Sequence, residues 1–146
     1  MKLIQQNIWS QRFIKLAEHI ATWSKDPSTK VGAIIVDSNK RIISLGFNGY
    51  PKKIPDDDLY NRESKYNKIL HAEINAILFA KRDLKNCIIY VTNIPCPQCA
   101  SAIIQSDIIT VITKKPNEDF LSRWEDKIKI TLKMFSDAKI DLIYLS

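Results

Sequence analysis

The sequence predicts an α/β domain in three layers, with helices on both faces of a mixed five-stranded sheet. Three observations predict it. Apolar residues near the N-terminus recur at spacings of three and four, two β-branched runs follow around a four-residue turn, and beyond residue 70 helical and strand patterns alternate. Strands joined through helices run parallel, whereas a turn-linked pair runs antiparallel, so both kinds of pairing belong to one sheet.

From about residue 5 to 23, Trp9, Phe13, Leu16, Ile20 and Trp23 mark the apolar face of a helix. It stops at Ser24-Lys25-Asp26-Pro27, because proline disfavours helical geometry in the residue before it. Residues 31–36 and 41–47 are rich in Val and Ile and flank Asp37-Ser38-Asn39-Lys40, the pattern of a hairpin. Residues 48–68 hold Pro51, Pro55, the run Asp56-Asp57-Asp58 and mixed charges, which predicts an irregular loop with one helical turn. A loop that long inside a compact domain is usually functional.

Residues 71–81 read as a helix with Ile74, Ile77 and Leu78 on its apolar face, and 87–92 as a strand. Residues 97–105 form a helix that opens on Pro97, where a missing N–H costs nothing. Residues 108–113 are a strand. Phe120, Trp124, Ile128, Leu132 and Phe135 then define one helix, and residues 140–145 close the chain as a strand.

A length of 146 residues with 45% hydrophobic and 26% charged content fits one soluble domain over residues 1–146. Apolar stretches reach only about five residues against the roughly 20 of a membrane-spanning helix. The N-terminal residues lack a basic segment followed by an apolar one, so a cytoplasmic location is expected. Three cysteines, Cys87, Cys96 and Cys99, are an odd number and argue against a disulfide framework. The net charge of +6 suits an anionic ligand such as a nucleotide phosphate, and is equally ordinary for a soluble protein.

Two short segments carry chemistry, His71-Ala72-Glu73 and Pro95-Cys96-Pro97-Gln98-Cys99, and each opens a helix. Zinc favours imidazole nitrogen and thiolate sulfur, and a catalytic site uses three protein ligands with a fourth position left to water. His71, Cys96 and Cys99 supply that set. A helix N-terminus favours the thiolate, which is the metal-binding form. Zinc lowers the pKa of a water it holds to about 7. Glu73, two residues from His71, is placed to take a proton from that water and deliver it to a substrate ring nitrogen and a departing amine.

The order H-x-E then P-C-x-x-C is the pattern of the zinc nucleobase deaminases. A redox pair at Cys96 and Cys99 would leave the first segment unexplained. A structural zinc would need a fourth ligand, for which His19 and Cys87 are the spare residues. His19 lies within an amphipathic helix, and Cys87 suits a small buried position at a strand start.

The chain resembles the deoxycytidylate (dCMP) deaminase family of the cytidine deaminase-like superfamily. The matching blocks are Ser24-Lys25-Asp26-Pro27 with residues 29–33, residues 46–51, residues 71–78 and residues 95–100. The resemblance implies a cytidine deaminase-like fold and hydrolysis of dCMP to dUMP and ammonia, with Glu73 catalytic. It also implies substrate roles. Asn48 meets a sugar hydroxyl, the alternative being a turn residue before Gly49. The Ala72 N–H holds the pyrimidine carbonyl, the Pro95 carbonyl accepts from the leaving amine, and Ile94 packs on the base. Ser24 and Lys25 meet the 5′-phosphate. Arg62, Lys65 and Tyr66 are further phosphate candidates, with a solvated charged loop as the alternative.

Some regulated members of that family carry extra Cys and His before the H-A-E segment for a second zinc. Residues 48–70 contain neither, so one Zn²⁺ per chain is expected. The resemblance also implies a homo-oligomer, a hexamer in many members, with dCTP and dTTP as effectors. Phe79 and Arg82 match positions near the subunit contact and effector site; a core aromatic and a helix-end cation are the alternative. The competing readings are a deaminase of cytidine or cytosine, of a riboflavin precursor or of tRNA adenosine, and a non-catalytic zinc or nucleotide-binding module. Tyr50, Tyr60 and Tyr66 among lysines offer only weak stacking platforms, so a nucleic-acid substrate is not expected.

Overall fold

The structure, a computed structural model, describes residues 2–4 as backbone and residues 7–145 in full. Strand β1 (Lys2–Ile4) precedes helix α1 (Ile8–Ala21), so the first two positions of the expected helix, 5 and 6, lie outside the described residues. Asn7 caps α1, its Oδ1 accepting from the Ser10 N–H at 2.8 Å, and so satisfies one of the orphan donors of the first turn. The hairpin follows as β2 (Gly32–Val36) and β3 (Ile42–Phe47), then α2 (Arg62–Lys68) and α3 (Ala72–Ala80). The chain continues through β4 (Ile88–Val91), α4 (Pro97–Gln105), β5 (Thr110–Lys114), α5 (Glu118–Arg123), α6 (Glu125–Asp137) and β6 (Asp141–Leu145).

The sheet runs in the order β1-β6-β5-β4-β2-β3. β4, β5, β6 and β1 pair in parallel, while β2 pairs antiparallel with both β3 and β4. All five expected strands are present in a mixed sheet. A sixth, β1, adds a three-residue edge beside β6. Alternate residues of the central strands feed two cores. Ile34, Val36, Tyr90 and Ile112 meet Phe13, Ile14, Ala17 and Ile20 of α1 on one face. Ala33, Ile35, Ile89, Val91 and Val111 meet Ala76, Ile103, Ile128 and Phe135 from α3, α4 and α6 on the other. This is the expected three-layer architecture, and each fully buried Ile or Phe contributes about 1.5–3 kcal/mol.

The predicted last helix is two helices, a correction with a local cause. Asn117 caps α5 by accepting from the Phe120 N–H at 2.8 Å, and Trp124 (φ −116°, ψ 18°) breaks the run. α5 buries no side chain, whereas α6 seats Ile128, Thr131 and Phe135 on the sheet. The break lets α6 follow the sheet without carrying the polar α5 inward.

Two glycines set the closest helix–sheet approaches. A Cβ on Gly32 would lie 2.0 Å from the Ala17 carbonyl oxygen, and one on Gly46 would lie 2.5 Å from both the Ala72 carbonyl oxygen and the Ala76 nitrogen. Only a residue without a side chain lets α1 and α3 sit this tightly on the hairpin.

Candidate active site

α3 carries His71 and Glu73, and the sequence fixes it firmly. Gly46 allows close contact with β3, the Ser44 hydroxyl donates to the Ala76 carbonyl at 2.7 Å, and the Asn75 amide donates to the Phe47 carbonyl at 2.8 Å. Just before His71, Gly49 and Leu70 exchange backbone hydrogen bonds of 3.0 and 2.8 Å, which closes the base of the long loop. Cys96 and Cys99 open α4 directly after β4, with Pro97 in the first turn. Behind them the fully buried Thr131 hydroxyl of α6 donates to the Pro95 carbonyl at 2.9 Å.

His71 Nδ1 lies 3.4 Å from Cys96 Sγ and 3.3 Å from Cys99 Sγ, and the three donor atoms all fall within 4.8 Å of one another. Tetrahedral zinc, with bonds near 2.3 Å to sulfur and 2.0 Å to nitrogen, puts neighbouring N and S about 3.5 Å apart. The donor set and its spacing fit zinc. Among the described residues this is the one such group, and it includes neither His19 nor Cys87. Cys87 is buried at the opposite end of β4, and the His19 ring stands 5.9 Å from that of Trp23. Three ligands without a fourth match a catalytic rather than a structural site.

The electrostatics point the same way. The Cys99 thiol donates to Cys96 sulfur and, with His71 alongside, lowers Cys96 to about 4. Cys99 is pushed up, first by that same hydrogen bond and then by burial. Two sulfurs this close cannot both ionise without a cation between them, and a divalent ion removes that conflict. His71 is raised by its hydrogen bond to Cys96. Glu73, 4% exposed, is raised to about 7 by burial, and its carboxyl lies within hydrogen-bond reach of Cys99. Both ligand-bearing helices lack a side-chain cap, so the Ala72 N–H at the start of α3 has neither an intrahelical partner nor a capping side chain.

The structure thus brings His71, Ala72, Glu73, Ile94, Pro95, Cys96 and Cys99 together. Ile94 is buried at 6% exposure beside the Pro95 turn. Most of the other expected substrate residues are already engaged by protein partners. Asn48, 5% exposed, accepts from the Val31 N–H at 2.9 Å and donates to the Thr29 carbonyl at 2.9 Å and Asp26 Oδ2 at 3.3 Å. One acceptor lone pair of its amide remains for a ligand. The buried Ser24 hydroxyl donates to the Asn48 carbonyl at 2.8 Å. Lys65 is buried and pairs with Asp26 at 3.1 Å, with side chains 8% and 5% exposed. Lys25 pairs with Asp56 at 3.1 Å on the surface, while Arg62 and Tyr66 project into solvent. Phe79 is 66% exposed on α3, away from the cluster, and Arg82 donates to the neighbouring Asp83 carbonyl.

Sequence reasoning missed Thr131, Gly46 and the Asp26–Lys65 pair. Two left signals. An isolated glycine in a strand marks a close approach, and Thr131 occupies a core position in the spacing Ile128, Thr131, Phe135. The ion pair left none, because its partners are 39 positions apart.

No helix among the described residues is long and apolar enough to cross a membrane. A family model, the cytidine and deoxycytidylate deaminase zinc-binding region, matches residues 7–115. An uncharacterized deaminase from the luxG 3′ region of Aliivibrio fischeri is 54% identical over 138 residues, covering 94% of this chain and 93% of that one. Human deoxycytidylate deaminase is 41% identical over 112 residues, covering 71% of this chain and 63% of the human protein's length. In fold, dCMP deaminase from the cyanophage S-TIM5 superposes with a TM-score of 0.75 at 22% identity, covering 96% of this chain and 99% of that one. The chain belongs to the cytidine and deoxycytidylate deaminase family.

Proposed function

We propose that this chain hydrolyses dCMP to dUMP and ammonia, using one zinc ion per chain. The observation that carries the reading is the convergence of His71, Cys96 and Cys99 beside the buried Glu73 at two uncapped helix starts. Relatives named deoxycytidylate deaminase, at 36–41% identity over most of the chain, support dCMP as the substrate. When bound, the ion supplies Lewis acidity and a water acidified to near neutrality.

The chain's own residues do the rest. His71 Nδ1 and the two sulfurs hold the ion. Glu73 carries two protons in turn, the first from water to N3 of the pyrimidine as the C4–O bond forms, the second from the new C4 hydroxyl to the exocyclic amine as the C4–N bond breaks and ammonia leaves. The Ala72 N–H donates to the pyrimidine carbonyl, and Ile94 packs on the ring. The Pro95 carbonyl, held by Thr131, accepts from the leaving nitrogen. Asn48 offers its remaining lone pair to the sugar. Ser24, Lys25, Lys65 and Tyr66 stand on the side of the long loop. The exposed Leu78 and Phe79 on α3 suit a homo-oligomeric contact with Arg82 at its margin. Control by dCTP and dTTP rests on the family resemblance.

The test compares initial rates of the zinc-loaded protein on dCMP, CMP, deoxycytidine, cytosine and a tRNA anticodon stem. We expect dCMP to lead. Equal rates on deoxycytidine and dCMP would remove the phosphate from the recognition, and a lead for the RNA would replace the reading.

A further inference from the structure

A hollow of about 180 Å³ opens beside the metal cluster. Its wall includes Asn93 and Ile94, which lead into Pro95 and the ligand Cys96, and also Asn117 and Phe120, the cap and the third residue of α5. α5 therefore borders the site, yet little ties it to the body of the domain. It buries no side chain, and Phe120 alone of its six residues is half-buried, packed against the core that α4 and α6 share.

The bonds that hold α5 are local. Asn117 accepts from the Phe120 N–H at 2.8 Å, and the Leu121 and Trp124 N–H groups donate to the Asn117 and Phe120 carbonyls at 3.1 Å each. Arg123 pairs with Asp119 at 3.2 Å, both side chains well exposed. A helix this short is marginal in water by itself, so its order depends on its two ends. Both ends are anchored. Before it, the Lys115 N–H donates to the Leu145 carbonyl at 3.2 Å, and Pro116 follows. After it, the Trp124 carbonyl accepts from the Ile128 N–H at 2.8 Å, and Ile128, Thr131 and Phe135 seat α6 on the sheet. Trp124, at φ −116° and ψ 18°, is a non-helical joint between two helices. A short span with few buried apolar contacts between fixed points belongs to the low-stability end of a fold, from which active-site lids are drawn. Leu121 and Trp124 are each 39% exposed, so apolar surface remains to be covered when such a span moves inward.

We propose that α5 is a lid: pivoting at Pro116 and Trp124, it closes over a nucleotide bound at the metal cluster and brings Phe120 onto it beside Ile94. The lid presupposes that the cluster binds a pyrimidine nucleotide, as proposed above, and adds how that ligand is enclosed. Closure gives the ligand apolar contact and shields it from bulk water, and opening lets the product leave.

Hydrogen exchange of the α5 amides, followed by mass spectrometry on the zinc-loaded chain with and without dUMP, tests this, with calorimetry giving the dUMP Kd. In the free protein, residues 120–124 should exchange within about tenfold of an unstructured peptide while α6 stays protected. With dUMP at about 100 times its Kd, their exchange should slow by about tenfold or more, with a ceiling near 100-fold if only the closed state binds. α1, on the opposite face of the sheet, is the control and should not change. Phe120→Ala should raise KM for dCMP about tenfold at full zinc content, and Phe120→Leu should recover most of that loss. If dUMP binds and α5 exchanges as before, or if α5 is already as protected as α6 in the free protein, the lid is overturned and the substrate reading stands. An unchanged KM in Phe120→Ala would also overturn it. A zinc-loaded chain that neither binds dUMP nor turns over dCMP would overturn the substrate reading and the lid with it.

Discussion

Replacing Gly46 with alanine tests whether the fit of α3 on β3 sets the position of the catalytic carboxylate. The added Cβ would stand 2.5 Å from two backbone atoms, the Ala72 oxygen and the Ala76 nitrogen, whereas ordinary contact begins at 3.4 Å. Neither atom can swing aside as a flexible side chain would, so helix and strand must part by about 0.9 Å. Overpacking of this kind costs about 1–3 kcal/mol, and each kcal/mol lowers the midpoint of a domain this size by roughly 2–4 °C.

The catalytic loss should be larger than the stability loss. α3 carries His71 and Glu73, while α4 carries both cysteines, so the shift moves the carboxylate and one ligand relative to the other two. A misplacement near 1 Å costs on the order of 10²-fold in rate. Thermal unfolding, zinc content and kcat on one preparation separate the effects, and Gly49→Ala is the control, because a Cβ there meets nothing within 4 Å. A Gly46→Ala protein with the wild-type midpoint, full zinc and unchanged kcat would refute the reasoning.

Glu73→Gln should keep its zinc and lose about 10²–10⁴-fold in kcat; near-normal turnover would remove the carboxylate from proton transfer. Chelating the zinc should lower the unfolding midpoint and open the half-buried Cys96 thiol to a disulfide reagent, while Cys87 and Cys99, both buried, stay silent until the chain unfolds. An unchanged thiol count would show that the sulfurs hold no metal. Thr131→Val keeps the shape but frees the Pro95 carbonyl, so chemical denaturation should show a loss of about 1–3 kcal/mol. Stability equal to wild type would mean the hydroxyl does not anchor the turn.

The site was more legible in the sequence than the surroundings that hold it. Ligand chemistry demands particular residue types at short spacing, so His71, Glu73, Cys96 and Cys99 could be read directly, and Pro97 marked the start of α4. Helix α1 and the hairpin were legible because each buries a periodic face. α2 showed only as one turn because its seven residues are nearly all polar. It is held by side-chain contacts, with Asp58 just before it accepting from Lys68 at 2.8 Å and from Ser64, and the distant Asp26 pairing with Lys65. Strand β1 is three residues long and pairs with the far end of the chain, so nothing local announces it. The break at Trp124 was hidden because apolar spacing runs straight across it. The resemblance makes Asn48 and Ser24 ligand contacts, whereas the bond from Ser24 to Asn48 and those of Asn48 with Val31 and Thr29 come from long-range closure of the loop, which spacing does not encode.

Asp26 and Lys65, buried 3.1 Å apart, bear on how this sequence can drift. Altering either alone strands the other's charge, at about 3–5 kcal/mol against a total of about 5–15 for a domain. Joint replacement by two apolar residues of matching volume strands nothing. A library randomised at both positions should therefore yield charged pairs and greasy pairs with few mixtures, so these two sites inherit as one unit although they stand 39 positions apart in the chain.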